Sequence, residues 1–273
     1  MTTGSVVVRR SLGRRLRALR GQARKTAADV TAAGIASKAK LARIEAGIGA
    51  VKMADVRALC WLYGADQATT DTLAELALNT ASEGWWEDYG DVMPAWFALY
   101  VELEAAASEV LVYDPELVYG ILQTPAYQRA IFETAPGLTP ESAERQVRLR
   151  SERQRAAFDR DPPLRIISVL GEGVLTRNVG GAAVMAEQRD HLGRLADRPQ
   201  VEILVLPWAA GAHVAMKGGF VVLNFSNQDD PDLVYLETYA GGRYIEQGKM
   251  IQEYRDMFAA VRKQSLTIEE YLG

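Results

Sequence analysis

Apolar residues recur at helical spacing through the first eighty positions and gather into strand-like runs later. Leu12, Leu16 and Leu19 form one stripe of an amphipathic helix, with Arg14, Arg15, Arg17 and Arg20 on its other faces. Gly21 and Lys25 break that pattern. Thr26 can cap a short second helix over 27–33, and Gly34 makes a turn. Ser37 caps a third helix over 38–46, which Gly47 ends. Leu41 and Ile44 point inward there, while Lys38, Ala39, Lys40 and Arg43 take the other side. A fourth helix over 55–63 carries Val56, Leu59, Cys60 and Leu62 as its buried stripe, and a fifth covers 70–78. The pattern predicts an all-α, five-helix domain over residues 1–80.

The pattern changes after Asn79. A polar, aromatic stretch over 83–89 begins a second domain, 83–273. Trp96, Leu99, Tyr100, Leu103 and Ala106 mark a helix over 94–107. Five apolar runs read as strands: 109–113, 164–170, 201–207, 220–225 and 233–237. Longer helical patterns cover 140–158, 182–196 and 249–264. The runs at 164–170 and 201–207 are apolar and β-branched with a helix between them, which predicts a mixed, partly parallel sheet covered by helices. The fold class expected is α+β overall: a helical domain followed by a larger α/β domain.

Charge divides the chain at nearly the same place. Thirteen of the 31 Lys and Arg residues, but only three of the 35 Asp and Glu residues, fall within 1–57. That stretch carries +10 and the remaining 216 residues carry −14, a split concealed by the overall −4. A short basic module joined to a long acidic one points to a polyanion at one end, with nucleic acid first among candidates. Two short helices about a tight turn, the second of them basic, form the arrangement that seats a helix in the major groove.

Other chemistry finds little support. Cys60 is the single cysteine, excludes an intramolecular disulfide and reads as a core thiol. His191 and His213 stand far apart with no Cys/His cluster, so no metal site is expected. Gly171-Glu172-Gly173 follows a strand, but Thr176 stands where a dinucleotide fingerprint needs glycine, so no cofactor is expected. There is no membrane-spanning run, and the start lacks the apolar core of a signal peptide. A cytoplasmic, double-stranded-DNA-binding protein is the expectation.

The segments Leu12 to Arg17, Ser37 to Gly47 and Val56 to Gly64 resemble the xenobiotic-response-element (XRE) type of helix-turn-helix regulator. The resemblance implies Ser37, Lys38, Ala39, Lys40 and Arg43 as the base-reading face. It implies Arg14, Thr26 and Lys52 as phosphate contacts, and an internal, structural Glu45. Two departures stand out: Ala27 replaces a common glutamine, and Ile35 occupies the usual turn-glycine position. The decapeptide Val118 to Tyr127, with Trp85-Trp86, Arg148 to Gln154 and Gly211-Ala212-His213, resembles the C-terminal domain of actinobacterial antitoxin-like regulators. That resemblance implies dimerisation, a small regulatory or toxin-like protein partner, or signal sensing.

Three functions follow. The first is a sequence-specific transcription regulator acting as a homodimer. The second is an antitoxin-like, partner-binding module whose DNA binding is only autoregulatory. For this the partner or ligand candidates are Gln123, Thr124, Tyr127, Trp208, His213 and Tyr239. The third is an enzyme using Glu172, Arg177 and His213. No spacing supports a reaction class, so no catalytic residue is assigned and the expectation is that the chain is not an enzyme.

Overall fold

In the computed structural model, residues 5–78, 85–226 and 231–273 are described. They divide into a helical unit reaching to Trp85 and an α/β unit of Trp86–Ser226 with Pro231–Gly273. The expected boundary between residues 80 and 83 lies outside the described residues.

The helical unit contains α1 (Ser5–Gln22), α2 (Ala27–Ala32), α3 (Lys38–Glu45), α4 (Met53–Tyr63) and α5 (Gln67–Leu78). Helix α1 packs against α3, α4 and α5, and α2 against α3. Leu12, Leu16, Val30, Leu41, Val56 and Leu59 are buried together, each side chain contributing about 1.5–3 kcal/mol of burial. Thr26 and Asp29 close α2 with a capping box, and Gly64 at φ 72° ends α4 in the left-handed region. One expectation is corrected. The fourth buried position on α4 is Tyr63 rather than Leu62, which is only half-buried, because 56, 59, 60 and 63 complete the spacing of one helix face.

A 3₁₀ turn, Trp85–Tyr89, crosses the division between the two units, and α6 (Ala95–Ala106) is the first helix of the α/β unit. Then come β1 (Glu109–Asp114), α7 (Pro125–Phe132), α8 (Pro140–Phe158), β2 (Arg165–Gly171), α9 (Glu172–Thr176), α10 (Ala182–Ala196) and β3 (Val201–Leu206). The unit ends with β4 (Phe220–Asn224), β5 (Leu233–Thr238), β6 (Gly241–Ile245), α11 (Gly248–Lys263), β7 (Leu266–Thr267) and α12 (Ile268–Leu272). The seven strands lie in the order β6-β5-β4-β1-β2-β3-β7. β1, β2 and β3 are parallel neighbours, with Leu111 beside Ile167 and Ile167 beside Glu202; the outer pairings are antiparallel.

Helix α11 covers one face, where Ile251, Phe258 and Val261 meet Ile167, Val169 and Val222. Val110, Val112, Ile166 and Leu170 alternate onto the opposite face and are buried as well. The five anticipated strands are present. β6 and β7 are additions: β6 opens on two glycines and lacks an apolar run, and β7 has two exposed residues. Helices α7, α9 and α12 are additions too, each of eight residues or fewer.

Candidate nucleic-acid interface

Ser37 positions the exposed face of α3. Its backbone is extended and its Oγ accepts the Lys40 backbone N–H at 3.1 Å, satisfying one of the free donors of the first turn. Leu41 and Ile44 anchor the helix in the core, leaving Lys38, Ala39, Lys40, Ala42 and Arg43 exposed. The Lys40 ammonium lies 2.8 Å from Asp55 Oδ2 on α4. The Arg43 guanidinium lies beside Gly49, where a Cβ would stand 3.2 Å from Nη2. Gly49 has φ 80°, so backbone conformation and space both favour glycine there.

The depth at which α3 sits is set by α1. A Cβ on Gly13 would come within 2.4 Å of Ile44 O and 2.8 Å of Glu45 O, so only glycine lets α1 lie against the carboxyl end of α3. Gly47, at φ 70°, faces the backbone of Arg10, where a Cβ would come within 2.8 Å of its N and Cα, and Arg9 Nε donates to Gly47 O at 3.3 Å. Arg20 then clamps the same end. Its Nε and Nη2 donate to Glu45 Oε1 and Oε2 at 2.6 and 2.8 Å, and Nη1 to Lys25 O at 3.2 Å. This bidentate pair raises the Arg20 pKa through the hydrogen bond to Glu45. Burial pushes the Tyr63 hydroxyl up to about 12, with the Glu45 carboxylate adding to the effect. The pairing of Arg20 with Glu45 was not visible in the sequence, since nothing local links residues 25 positions apart.

The expected phosphate contacts are placed unevenly. Lys52 is exposed at the N-cap of α4, and Arg14 is half-buried on α1. Thr26 is already engaged: its backbone N–H donates to Asp29 Oδ2 at 2.6 Å and its Oγ1 donates to the same oxygen at 2.8 Å. The Thr26 N–H holds the Asp29 carboxylate below its usual pKa. Thr26 thus caps α2 in the free protein.

The six partner or ligand candidates of the α/β unit do not converge on one surface. Gln123, Thr124 and Tyr127 are buried and serve the loop that carries them. Gln123 Nε2 donates to Val118 O at 2.6 Å, Thr124 Oγ1 accepts from Tyr127 N at 3.2 Å, and Tyr127 OH accepts from Val118 N at 3.4 Å. Gln154 Nε2 donates to Ile121 O and Gln123 O, and Gln188 Nε2 to Leu122 O. The distinctive decapeptide is therefore a largely buried stretch, a 3₁₀ turn leading into α7, several of whose carbonyls are satisfied by glutamine side chains. Trp208 is 70% exposed, Tyr239 is fully exposed, and His213 is half-buried with Nε2 3.4 Å from Tyr113 OH. Glu172 and Arg177 do not join His213. Glu172 accepts the Trp208 N–H at 2.6 Å, and Arg177 pairs with Glu116 at 2.6 Å.

Among the described residues no group of three or more His, Cys, Asp or Glu side chains is arranged to hold a metal ion, and no helix is long and apolar enough to cross a membrane. Residues 11–73 match the family described as "Helix-turn-helix domain", and residues 97–271 match the one described as "Domain of unknown function (DUF5753)". No curated protein and no solved structure matches the chain.

Proposed function

The chain belongs to the DUF5753 family, and on that premise, together with its helix-turn-helix domain, we propose that it is a sequence-specific transcription regulator of the cytoplasm. The observation that carries this reading is α3: anchored by Leu41 and Ile44, capped by Ser37, and presenting Lys38, Lys40 and Arg43 beside small Ala39 and Ala42. Arginine and lysine donate to guanine edges or phosphates, and small side chains allow close approach to a base pair. Lys52 and Arg14 supply phosphate contacts. A homodimer places two copies of α3 in successive major grooves, roughly 34 Å apart on one face of DNA. Double-stranded DNA is the ligand, and neither a cofactor nor catalysis is assigned.

The test is a titration of the purified chain against promoter fragments, its own upstream region included, at two salt concentrations. Tight binding to a few fragments that survives the higher salt supports the reading. Weak binding to all fragments that vanishes with salt refutes specificity, because counterion release alone produces that behaviour. Arg43→Ala should cost about 1–3 kcal/mol and relax preference at one base position.

A second reading is that the α/β unit takes a small protein partner in an antitoxin-like pair. It is supported by Trp208, Val214 and Met216, each more than half exposed in the segment between β3 and β4. Mixing the chain with the product of a neighbouring gene should then give a stoichiometric complex by size-exclusion chromatography. Trp208→Ala should weaken that complex, and the absence of any complex would leave autonomous DNA binding as the whole function.

A further inference from the structure

Open α/β sheets bind ligands outside the carboxyl ends of their parallel strands. That end of this sheet carries two carboxylates on one face. Asp114 ends β1, and Glu237 is the last residue but one of β5. Val112, Val221 and Tyr235 lie side by side across β1, β4 and β5, on the face opposite to α11. Alternation carries Asp114 and Glu237 onto that same face, two strand spacings apart, about 10 Å. Gly219, which precedes β4, stands between the two strands. A Cβ there would lie 3.0 Å from Tyr113 O and 3.6 Å from Asp114 Cα, so with glycine no side chain fills the gap.

A string of bonds ties a cation, Arg150 of α8, to the same place. Asp114 Oδ1 accepts the Glu116 and Leu117 N–H groups at 3.0 Å, Val118 N donates to Tyr127 OH, Gln123 Nε2 donates to Val118 O, and Arg150 Nη1 donates to Gln123 Oε1. The Arg150 guanidinium stands over Phe132, 4.8 Å from the ring centre. Arg150 feels the charge of Glu237, as Asp114 does, yet among the described residues no ion pair joins it to either carboxylate. Each group keeps an unused atom. Arg150 Nε and Nη2 have no partner among the described residues. Both bonds to Asp114 go to Oδ1, which leaves Oδ2. Glu237 accepts only from Tyr235 OH, at 3.2 Å. Asp114 and Arg150 are half-buried, Glu237 is exposed, and none of these unused atoms is sealed from solvent. Burial lowers the Arg150 pKa to about 10 and raises that of Asp114 to about 6, so both charges lack the pairing that would hold them. Glu116, also near Asp114, is taken by Arg177 at 2.6 Å.

We propose that this end of the sheet binds a basic α-amino acid, with one carboxylate for Arg150 and two cationic groups for Asp114 and Glu237. The Nε and Nη2 atoms of Arg150 form the edge that Arg20 presents to Glu45 and Arg153 to Glu104, and here that edge is left for the carboxylate of the ligand. The α-ammonium meets Asp114 Oδ2. A lysine or arginine side chain then reaches across Gly219 toward Glu237. The site lies within the α/β unit and does not depend on the DNA-binding reading; either can fail alone.

The experiment is isothermal titration calorimetry of the full chain with L-lysine and L-arginine, using L-norleucine, agmatine and L-glutamate as contrasts. Saturable one-to-one binding of at least one basic amino acid is expected. L-norleucine lacks the side-chain cation and agmatine the carboxylate, and each should bind about tenfold more weakly or worse, the loss expected for a charge-assisted hydrogen bond. L-glutamate should not bind. Glu237→Gln should abolish the preference for L-lysine over L-norleucine, and Asp114→Asn, which keeps the acceptor of the two backbone bonds, should weaken both. Arg150→Gln should abolish binding. Circular dichroism melting confirms that the variants fold; if Arg150→Gln does not, Glu237→Gln, at an exposed position, decides. No saturable heat with either basic amino acid, equal binding of any contrast, a lysine preference that survives Glu237→Gln, or indifference to Asp114→Asn would each overturn the proposal.

Discussion

The Lys40 ammonium lies 2.8 Å from Asp55 Oδ2, so a cation of the proposed reading helix is bonded, in the free protein, to the first turn of α4. That carboxylate competes with DNA for the Lys40 ammonium. A partly exposed pair of this kind is worth about 0–1 kcal/mol. Asp55→Asn removes the competitor without adding bulk. Its expected effect is tighter binding of cognate and random duplexes alike, by up to about fivefold. Fluorescence anisotropy titrations at low and moderate salt measure it. Unchanged affinity for both duplexes would take Lys40 out of the interface.

Gly13 sets the distance between α1 and the carboxyl end of α3. Gly13→Ala places a methyl group 2.4 Å from Ile44 O, a backbone atom that cannot swing aside. The two helices must separate, at a cost of about 1–3 kcal/mol for overpacking of this kind. Because α3 moves with the shift, specific DNA binding should fall more than non-specific binding. Urea denaturation followed by far-ultraviolet circular dichroism gives the first quantity, and paired titrations give the second. Native stability in the Ala variant would mean that α1 is not seated as described.

Inside the α/β unit, Arg153 donates Nε and Nη2 to the two oxygens of Glu104 at 2.8 Å, with both side chains almost fully buried. Tyr119 also donates to Glu104, Tyr100 OH lies 2.8 Å from Tyr119 OH, and the Arg153 guanidinium stands over Phe97 and Tyr100. Burial raises both tyrosine hydroxyls well above their usual range, and the Glu104 carboxylate adds to it, so the phenols stay protonated donors. Glu104→Gln strands the Arg153 charge and should cost about 3–5 kcal/mol. Changing Glu104→Leu and Arg153→Met together should cost less than Glu104→Gln alone, as read from melting midpoints. Additive losses would show that the charges are not coupled.

The backbone was legible where local rules and burial agree. Ser37 and Gly47 bracket α3 because a capping hydroxyl and a left-handed residue are local requirements. The strands at 165–171 and 201–206 were legible because both faces are buried, which turns alternation into continuous apolar runs. β6 was not, since Gly241, Gly242 and Arg243 lack such a run and an edge strand is held chiefly by its neighbour. At the interface, the exposed residues of α3 follow from helix phase alone. The partners that position them, Asp55 for Lys40 and Glu45 for Arg20, arise from tertiary contact and leave no local signal. The burial and partners of Gln123, Thr124 and Tyr127 leave no local signal for the same reason. Their bonds close on the loop itself and on Gln188 of α10 and Arg150 of α8, contacts that no local pattern announces.

Asp114, at the carboxyl end of β1, makes the pH response of the α/β unit predictable. Burial pushes its carboxyl up to about 6, against two backbone N–H bonds from Leu117 and Glu116 that pull the other way. The nearby Glu237 and Glu116 carboxylates push it further up. A raised carboxyl pKa means that the folded state holds the proton more tightly than the unfolded chain. This group's favourable contribution is therefore complete below the unfolded value, near 3.8, and is lost as pH rises through about 6. Asp114→Asn keeps the acceptor oxygen and removes the titration. The variant should match the native chain at pH 4 and exceed it at pH 7.5, with about 3 kcal/mol as the ceiling for a shift of this size. Urea midpoints across that range measure it. A native chain as stable as the variant at pH 7.5 would show that Asp114 ionises there without penalty, in a site more open to water than this geometry implies.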